Sequence, residues 1–378
     1  MAGLRCFLEL LLGHVMGRRS KERGGGYAFA HMPRLRRSDP RAPGIARRKA
    51  GRGFVYTGPN GDRVTDAEVL ARIRSLAIPP AWTDVWICPW PNGHIQAMGT
   101  DAKGRRQYRY HEAWRARRDA EKFDHMLVFA QALPRLREVV SGHLAEDGLT
   151  RNRVLASAAR LLDLGFFRIG TEGYAEENNT FGLATMRKKH VCVDGQVVTF
   201  DYSAKSGKHR VQSVVDPDVA EVVRELKERK GGGYELLAHW DGHRWVDVKS
   251  ADINAYLKQH TGEDITAKDF RTWNATVLCA VALAVSTAAV SESARKRAIV
   301  RAVKEVAHYL GNTPAVCRNS YIDPRIIDRY RADTTIHEAL IVLDDQNVLS
   351  GVASTQSAVE AAVLDVLSDG PHAAADAA

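Results

Sequence analysis

The strongest constraint on the fold is the order in which two kinds of sequence pattern follow each other along the chain. Between Phe54 and about Tyr110, short apolar runs alternate with turn residues, as in Val85–Cys88 and Ile95–Gly99 on either side of Pro91-Asn92-Gly93. This spacing predicts antiparallel strands joined by tight turns. From Glu112 onward the apolar residues take a helical spacing instead. The sequence therefore predicts a small β-rich domain followed by a mainly helical one.

One strand meander interrupts the predicted helices of the second domain. Val191–Val193 and Val197–Tyr202 flank Asp194-Gly195, and a second turn over 204–208 leads into Val211–Val215. Apolar runs that are separated by short turns are typical of adjacent antiparallel strands. The fold class is therefore α+β, with a small antiparallel β-sheet N-terminal domain and a larger, mainly α-helical domain that contains a β-meander.

Several helix ends can be predicted from capping residues. Thr266 followed by Asp269 resembles a capping box at a helix start. Gly311 should end the helix whose apolar face includes Val303 and Val306. Thr313-Pro314 then has the character of the N-cap and first residue of a new short helix that carries Tyr321.

Composition suggests four regions. Residues 1–53 are rich in Arg, Gly and Pro and predict a disordered basic arm, 54–125 hold the β-rich domain with a linker helix, 126–345 the helical domain, and 346–378 an acidic, Ala-rich tail. Leu4–Met16 is apolar but short and contains charged residues, so it predicts neither a membrane span nor a signal peptide. A cytoplasmic location, at the bacterial nucleoid, is expected.

The net charge of +9 is not spread along the chain. Residues 1–53 hold 13 Lys or Arg against 3 Asp or Glu, which leaves −1 for the rest. Overall basicity is therefore a weak argument for nucleic-acid binding. A local run is more informative, because within 103–118 only Glu112 opposes seven cations, Lys103, Arg105, Arg106, Arg109, Arg115, Arg117 and Arg118. Such a run can neutralise phosphates, although a solvated helix face is the common alternative.

Cysteine and glycine patterns argue against cofactors. The five cysteines are scattered without a CxxC pair, which disfavours a zinc site or a disulfide framework. His190 and Cys192 lie two apart on a predicted strand, and core packing is favoured over metal binding for them. Gly207-Lys208 is followed by His209, so the chain has no phosphate-binding loop of the GxxxxGK[ST] type. The sequence predicts neither metal nor nucleotide cofactor.

Four short stretches hold the residue types that cleavage of a phosphodiester by a protein nucleophile needs. They are Phe166–Gly170 around Arg168, Ala204–Lys208 around Lys205, Lys268-Asp269-Phe270-Arg271, and Leu310–Pro314 with Tyr321 nine residues past Asn312. Arg donates paired hydrogen bonds to phosphate oxygens, Lys can give up a proton, and a tyrosine oxygen can attack phosphorus. Each residue also has an ordinary alternative: a surface charge, a solvated hairpin tip, an ion pair within a helix or a packing residue.

Taken in order, these stretches resemble the type IB DNA topoisomerases of the poxvirus and bacterial kind. That family has Arg, Lys, Arg, His or Asn, and Tyr in this order, with the Lys on a hairpin turn and KDxR around the second Arg. Thr180–Leu183 and Lys189-His190-Val191 are also similar to the family, and Gln107–Tyr110 resembles its QYxY strand. The resemblance extends from about Phe54 to Asp333.

The resemblance implies a transient covalent bond between Tyr321 and the 3′ end of a cut DNA strand, formed without ATP or metal in a catalytic domain over 126–345. Arg168 and Arg271 would hold the non-bridging phosphate oxygens, and Lys205 would protonate the leaving 5′ oxygen. Asn312 takes the place of the poxvirus His, and because a neutral amide cannot act as a general acid, this residue is restricted to hydrogen bonding to a non-bridging oxygen. Residues expected to contact DNA are Gln107, Tyr108, Tyr110, Arg105, Arg106 and Lys268. A monomer that clamps duplex DNA is expected.

Two alternatives remain open at this point. A tyrosine recombinase shares the Arg, Lys, Arg and Tyr chemistry, but usually has HxxR where this chain has Lys268–Arg271, and an all-helical N-terminal domain. A non-catalytic DNA-binding module would keep the fold alone, and the complete set of candidate residues argues against it.

Overall fold

The computed structural model describes residues 34–286, 291–345 and 352–368. The described chain divides into two units, one that ends at Asp124 and one that starts at His125. The first unit is built on an antiparallel sheet and the second is mainly helical with further small sheets. The predicted α+β fold class is confirmed.

Among its described residues, the first unit contains a five-stranded antiparallel sheet, one complete helix and the first turns of a helix that continues into the second unit. Its elements are β1 (Ile45–Ala50), β2 (Gly53–Thr57), α1 (Ala67–Ser75), β3 (Thr83–Ile87), β4 (Ile95–Thr100) and β5 (Arg106–Tyr110). The strand order is β2-β1-β3-β4-β5, which leaves β5 at an edge. Ile45, Ile73, Val85, Ile87 and Ala97 are buried together as its core.

The predicted disordered arm over 1–53 is wrong at its C-terminal end. Strand β1 pairs with both β2 and β3, and Ile45 is buried in the core. Arg47 donates hydrogen bonds to the carbonyl oxygens of Ile78, Pro79 and Trp82. Sheet pairing and one buried apolar residue therefore outweigh a composition that is typical of disorder. Residues 1–33, with the apolar Leu4–Met16 stretch, lie outside the described residues.

The second unit is assembled around one buried helix. Its helices are α2 (Glu112–Leu144, which crosses the unit boundary), α3 (Arg151–Gly165), α4 (Glu172–Asn178), α5 (Pro217–Glu228), α6 (Ser250–Thr261), α7 (Ala267–Ala284), α8 (Glu292–Leu310), α9 (Pro314–Ser320), α10 (Pro324–Arg331), α11 (His337–Asp345) and α12 (Val352–Ser368). Almost every side chain of α7 is buried. The helices that pack on α7 therefore surround it, and α7 forms the centre of the unit.

The predicted meander is present as an antiparallel three-stranded sheet. Its strands are β6 (Val191–Asp194), β7 (Val197–Ala204) and β8 (Lys208–Val215), in that order. Ala204 pairs with Lys208 around the Lys205–Gly207 turn. A second hairpin, β9 (Ala238–Trp240) with β10 (Trp245–Asp247), was not expected from the sequence.

The predicted helix ends are confirmed. A carboxylate oxygen of Asp269 accepts from the backbone N–H of Thr266 at 2.8 Å and from its hydroxyl at 2.9 Å, which completes the capping box. Gly311 ends α8 with a left-handed φ of 65°. The Thr313 hydroxyl accepts from the N–H of Val316 at 3.3 Å, with Pro314 at the first position of α9.

The predicted acidic tail contains helix α12, which packs on the rest of the unit. Val359, Val363 and Leu367 are buried along one face of α12. Arg137 of α2 binds both the Asp163 carboxylate of α3, at 2.8 Å, and the Glu360 carboxylate of α12, at 2.7 Å. One acidic residue of this region therefore serves as an ion-pair partner that attaches α12.

Within the described residues, no helix is both long enough and apolar enough to cross a membrane. The same residues contain no group of three or more His, Cys, Asp or Glu side chains placed to hold a metal ion. The ring of His190 packs at 4.4 Å from that of Phe181. Cys192 is exposed, so the core-packing interpretation is wrong for that residue.

Candidate active site

Arg168 lies on the loop that follows α3. Phe166 ends the helix in the left-handed conformation, with φ of 54°. The next residue, Phe167, is fully buried and packs edge-on against Phe200 of β7 at 4.7 Å. The carbonyl oxygen of Arg168 accepts from the N–H of Leu183 at 2.8 Å. The chain reversal and the buried ring thus fix the backbone from which the Arg168 side chain extends.

Two glycines make this loop possible. Gly170 has φ of 77°, and a Cβ there would lie 2.9 Å from the backbone N and Cα of Gly182. A Cβ on Gly182 would in turn lie 2.5 Å from the backbone N of Gly170. Side chains at either position would force the two backbones apart. The Thr180–Leu183 stretch therefore supports the loop that carries Arg168.

Arg271 is a buried cation on α7. Its side chain is 3% exposed, and it donates to the carbonyl oxygens of Phe166 and, at 2.9 Å, Leu310. It forms no ion pair with any residue that the structure describes, so the alternative of an ion pair along its own helix is wrong. Arg271 instead connects the Arg168 loop to the end of α8.

Asn312 follows Gly311 and lies beside Arg168. Its side-chain oxygen accepts a hydrogen bond from Nη2 of Arg168. Its Nδ2 is buried and has no hydrogen-bond partner among the described residues. Because a guanidinium only donates, the amide oxygen must face Arg168. The amide nitrogen is then left as a donor for another group.

Tyr321 is held just past the end of α9. The hydroxyl oxygen of Thr276 on α7 accepts from the N–H of Asp323 at 3.1 Å. Its single proton is shared between the carbonyl oxygens of Thr272, at 3.0 Å, and Tyr321, at 3.3 Å. Ile322, between Tyr321 and Asp323, is fully buried. The guanidinium carbon of Arg271 lies 5.4 Å from the centroid of the Tyr321 ring. These contacts place the phenol next to the buried arginine.

Electrostatics favour the ionised form of this phenol. Burial by itself raises the pKa of Tyr321, but the positive charges of Arg271 and Arg168 outweigh it and lower that pKa below the ordinary tyrosine value. Burial, together with repulsion from Arg168, lowers the pKa of Arg271 to about 10. Arg271 still carries its charge at neutral pH.

Lys205 is separate from this cluster. It lies at the exposed tip of the β7–β8 hairpin, where Ser206 and Gly207 have left-handed φ values of 67° and 69°. Its side chain makes no hydrogen bond or ion pair within the described part of the chain. The structure therefore brings together Arg168, Arg271, Asn312 and Tyr321, and leaves Lys205 free. Lys268 is also exposed, one turn before Arg271 on α7.

Two residues of the site were not identified from the sequence. Thr276, which fixes the backbone at Tyr321, is indistinguishable in sequence from other buried residues of α7. Arg210 on β8 donates from Nη2 to the carbonyl oxygen of Tyr309 at 2.8 Å. It lies in a strand whose neighbours Lys208 and His209 are exposed. No local pattern distinguishes a half-buried arginine in such a stretch from a surface charge.

The candidate DNA contacts on β5 divide between the two faces of the strand. Arg106, Tyr108 and Tyr110 lie on the exposed face, where the two tyrosine rings stack at 6.0 Å. Gln107 is on the opposite face and donates to Asp101 at 2.9 Å. Arg105 forms an ion pair with the same carboxylate at 2.8 Å. Asp101, just outside the basic run, therefore binds the side chains of two residues that were predicted to contact DNA.

Two models of known protein families match this chain. A family model described as the catalytic core of eukaryotic DNA topoisomerase I matches residues 111–341, and one described as the N-terminal domain of bacterial DNA topoisomerase IB matches 53–101. This chain belongs to the type IB DNA topoisomerases. Its function is that of a DNA topoisomerase, an isomerase whose substrate is DNA, so the recombinase and binding-module alternatives are not supported.

Viral and eukaryotic relatives agree with the family models. The topoisomerase is 32% identical to DNA topoisomerase 1B of Acanthamoeba polyphaga mimivirus over 295 residues, which is 76% of this chain and 88% of the relative. It is 22% identical to DNA topoisomerase 1B of vaccinia virus over 305 residues, covering 77% and 92% of the two chains. It is 30% identical to DNA topoisomerase 1 of Candidozyma auris over 42% of this chain and 20% of the relative.

Proposed function

We propose that the topoisomerase relaxes supercoiled DNA by cutting one strand with Tyr321 and rejoining it. The supporting observation is that the Tyr321 phenol lies beside Arg271 and Arg168, which lower its pKa. In the cleavage step the phenolic oxygen forms a bond to phosphorus while the bond from phosphorus to the 5′ oxygen breaks. The phenolic proton leaves to water. The 3′ phosphotyrosine retains the energy of the broken ester, so rejoining requires no nucleotide.

The arginines and Asn312 stabilise the charge on the phosphate. Arg168 and Arg271 have no carboxylate partners among the described residues, which leaves their charge in a partly dry site uncompensated. Such charge favours an anionic ligand, and a guanidinium matches the non-bridging oxygens of a phosphate. The unpartnered Nδ2 of Asn312 supplies one more donor to these oxygens.

Lys205 acts as the general acid. In an in-line displacement the attacking and leaving oxygens lie on opposite sides of phosphorus, so an acid on a different element from the nucleophile can approach the leaving oxygen from its own side. Lys205 lies on the β7–β8 turn, whereas Tyr321 follows α9. The Lys205 ammonium gives its proton to the leaving 5′ oxygen, and rejoining returns that proton.

DNA binding involves both units of one monomer. The exposed face with Arg106, Tyr108 and Tyr110 offers a cation and two aromatic rings to DNA, and exposed Lys268 offers a cation to the phosphates. We include Gln107 and Arg105 as contacts that must first leave Asp101. A location at the bacterial nucleoid is part of the same proposal.

We expect the purified topoisomerase to relax a negatively supercoiled plasmid in EDTA and without ATP. The proposed chemistry uses protein groups alone, so chelation removes nothing that it needs. The measurement is an agarose-gel time course over several salt concentrations, because phosphate contacts weaken as salt rises. Loss of activity in EDTA, with recovery on addition of Mg²⁺, would contradict the proposal.

We expect Tyr321 in the DNA-free protein to titrate below the ordinary tyrosine pKa. A lower pKa gives a larger phenolate fraction at each pH beneath it, so attack should quicken as pH rises and level off at this pKa. Subtracting the ultraviolet titration of Tyr321→Phe from that of the wild type isolates the residue. Arg168→Gln should shift the curve to higher pH, and an unshifted curve would exclude Arg168 as a cause.

A further inference from the structure

Strand β8 fastens the Lys205 hairpin to two helix ends. Arg210 and Gln212 are two residues apart and so project from the same face of the strand. Nε2 of Gln212 donates to the carbonyl oxygen of Gly165 at 2.7 Å, and Nη2 of Arg210 donates to that of Tyr309 at 2.8 Å. The Gly165 carbonyl lies at the end of α3, just before the Arg168 loop. The Tyr309 carbonyl lies at the end of α8, just before Asn312.

Arg210 is the anchor nearer to the tip. It pairs with Tyr202 across the hairpin, two register positions from the Ala204 and Lys208 pair that closes the turn. The tip itself is exposed, and Lys205 has no partner there within the described chain. The bond from Arg210 to Tyr309 therefore attaches the hairpin to the end of α8, while the carbonyl oxygen of Ser203 accepts from the N–H of Phe181 at 2.8 Å on the other strand.

The Arg210 guanidinium packs against Gly311. A Cβ at Gly311 would overlap Nη1 of Arg210, so the guanidinium lies directly against the glycine backbone. Gly311 also needs its left-handed φ of 65° to end α8. Gly311 thus both ends α8 and lies in contact with the Arg210 guanidinium.

The surroundings of Arg210 are unfavourable for its charge. Burial lowers its pKa, Tyr202 opposes that change, and repulsion from Arg168 adds to it. Arg210 forms no ion pair with a described residue. A third guanidinium near Arg168 and Arg271 raises the free energy of the DNA-free protein. The contacts that Arg210 makes indicate the role for which this unfavourable charge is kept.

We propose that Arg210 is a positioning residue that holds the Lys205 hairpin in register with Asn312 and Tyr321. Arg210 acts through its bond to the Tyr309 carbonyl and its packing on Gly311, and it does not touch the scissile phosphate. The inference rests on the proposed role of Lys205 as general acid.

The experiment uses single-turnover cleavage at saturating DNA by the full chain. One substrate has the natural 5′ oxygen at the scissile phosphate, and the other has a bridging sulfur there. A thiolate leaves without protonation, because thiols have a reference pKa of about 8.5. The variants are Arg210→Ala, Arg210→Lys, Lys205→Ala, the Arg210→Ala/Lys205→Ala double variant and Arg224→Ala. Arg224 is the matched control, since its Nη2 also makes a hydrogen bond between a helix and the meander, from α5 to the carbonyl oxygen of Gly195 at 2.8 Å.

We expect Arg210→Ala to slow cleavage of the oxygen substrate by about 10²-fold, because a misplaced acid loses most of its effect. The sulfur substrate should be cleaved at nearly the wild-type rate. The double variant should be no slower than Lys205→Ala, and Arg224→Ala should match the wild type. Arg210→Lys keeps one donor and should be slowed less, with the same preference for sulfur.

Equal slowing of Arg210→Ala on both substrates would overturn the inference and indicate action on the phosphate or on Tyr321. Multiplicative losses in the double variant would overturn it too. If Arg210→Ala does not fold, Arg210→Lys provides the test instead. Wild-type rates of Arg210→Lys on both substrates would overturn the inference and leave Arg210 with a structural role only. If Lys205→Ala itself is not restored by sulfur, the proposed general acid is wrong. Restoration of Lys205→Ala but not of Arg210→Ala removes only the present inference.

Discussion

We expect Tyr321→Phe to abolish plasmid relaxation and the covalent protein–DNA complex, while DNA binding stays close to that of the wild type. The variant removes the attacking oxygen and nothing else from the cluster, so the single-turnover rate should fall by at least about 10⁴-fold. The phenylalanine ring keeps its place beside Arg271, because Thr276 holds the backbone there by accepting from the N–H of Asp323. Denaturing gel electrophoresis with a 5′-labelled strand measures the covalent complex, because the 3′ phosphotyrosine keeps the protein on the fragment that carries the 5′ label.

Tyr330→Phe is the matched control. Tyr330 is buried on α10, nine residues farther along, and its hydroxyl donates to the carbonyl oxygen of Ser286 at 3.1 Å. Its loss should lower thermal stability slightly and leave cleavage intact. Wild-type relaxation by Tyr321→Phe would remove this residue as nucleophile, whereas equal loss in both variants would indicate a folding defect.

Lys205→Ala should lose about 10²- to 10⁴-fold in the rate of single-turnover cleavage, which is the range that general acid catalysis supplies. The variant removes the proposed source of the proton that the leaving 5′ oxygen takes up. A substrate with a bridging sulfur at that position needs no such proton, so it should recover most of the lost rate. DNA affinity should change little, because Lys205 is one cation among many.

Lys208→Ala tests whether any lysine at this turn has the same effect. Lys208 pairs with Ala204 on the other side of the turn and is exposed as Lys205 is. The Lys208→Ala variant should cleave both the oxygen and the sulfur substrate at the wild-type rate. A Lys205→Ala enzyme that is equally slow on both substrates would not support Lys205 as the acid.

Much of the local structure could be predicted because it depends on near neighbours in sequence. The capping box at Thr266 and the helix end at Gly311 each involve a few consecutive residues, and both are confirmed. The β7–β8 hairpin around Lys205 is likewise set by alternation and turn residues. The disordered arm failed as a prediction because the pairing partner of β1 in β3 is about forty residues away.

The sequence by itself determined the residue types and their order: two arginines, a lysine, an asparagine and a tyrosine, on recognisable local elements. Only the tertiary structure decided which of them meet. It buries Arg271 against the carbonyl oxygens of Phe166 and Leu310, turns the Asn312 amide nitrogen away from Arg168, and adds Arg210. It also commits Arg105 and Gln107 to Asp101. The physical reason is that burial and charge compensation depend on segments far apart in the chain, and no local pattern records them.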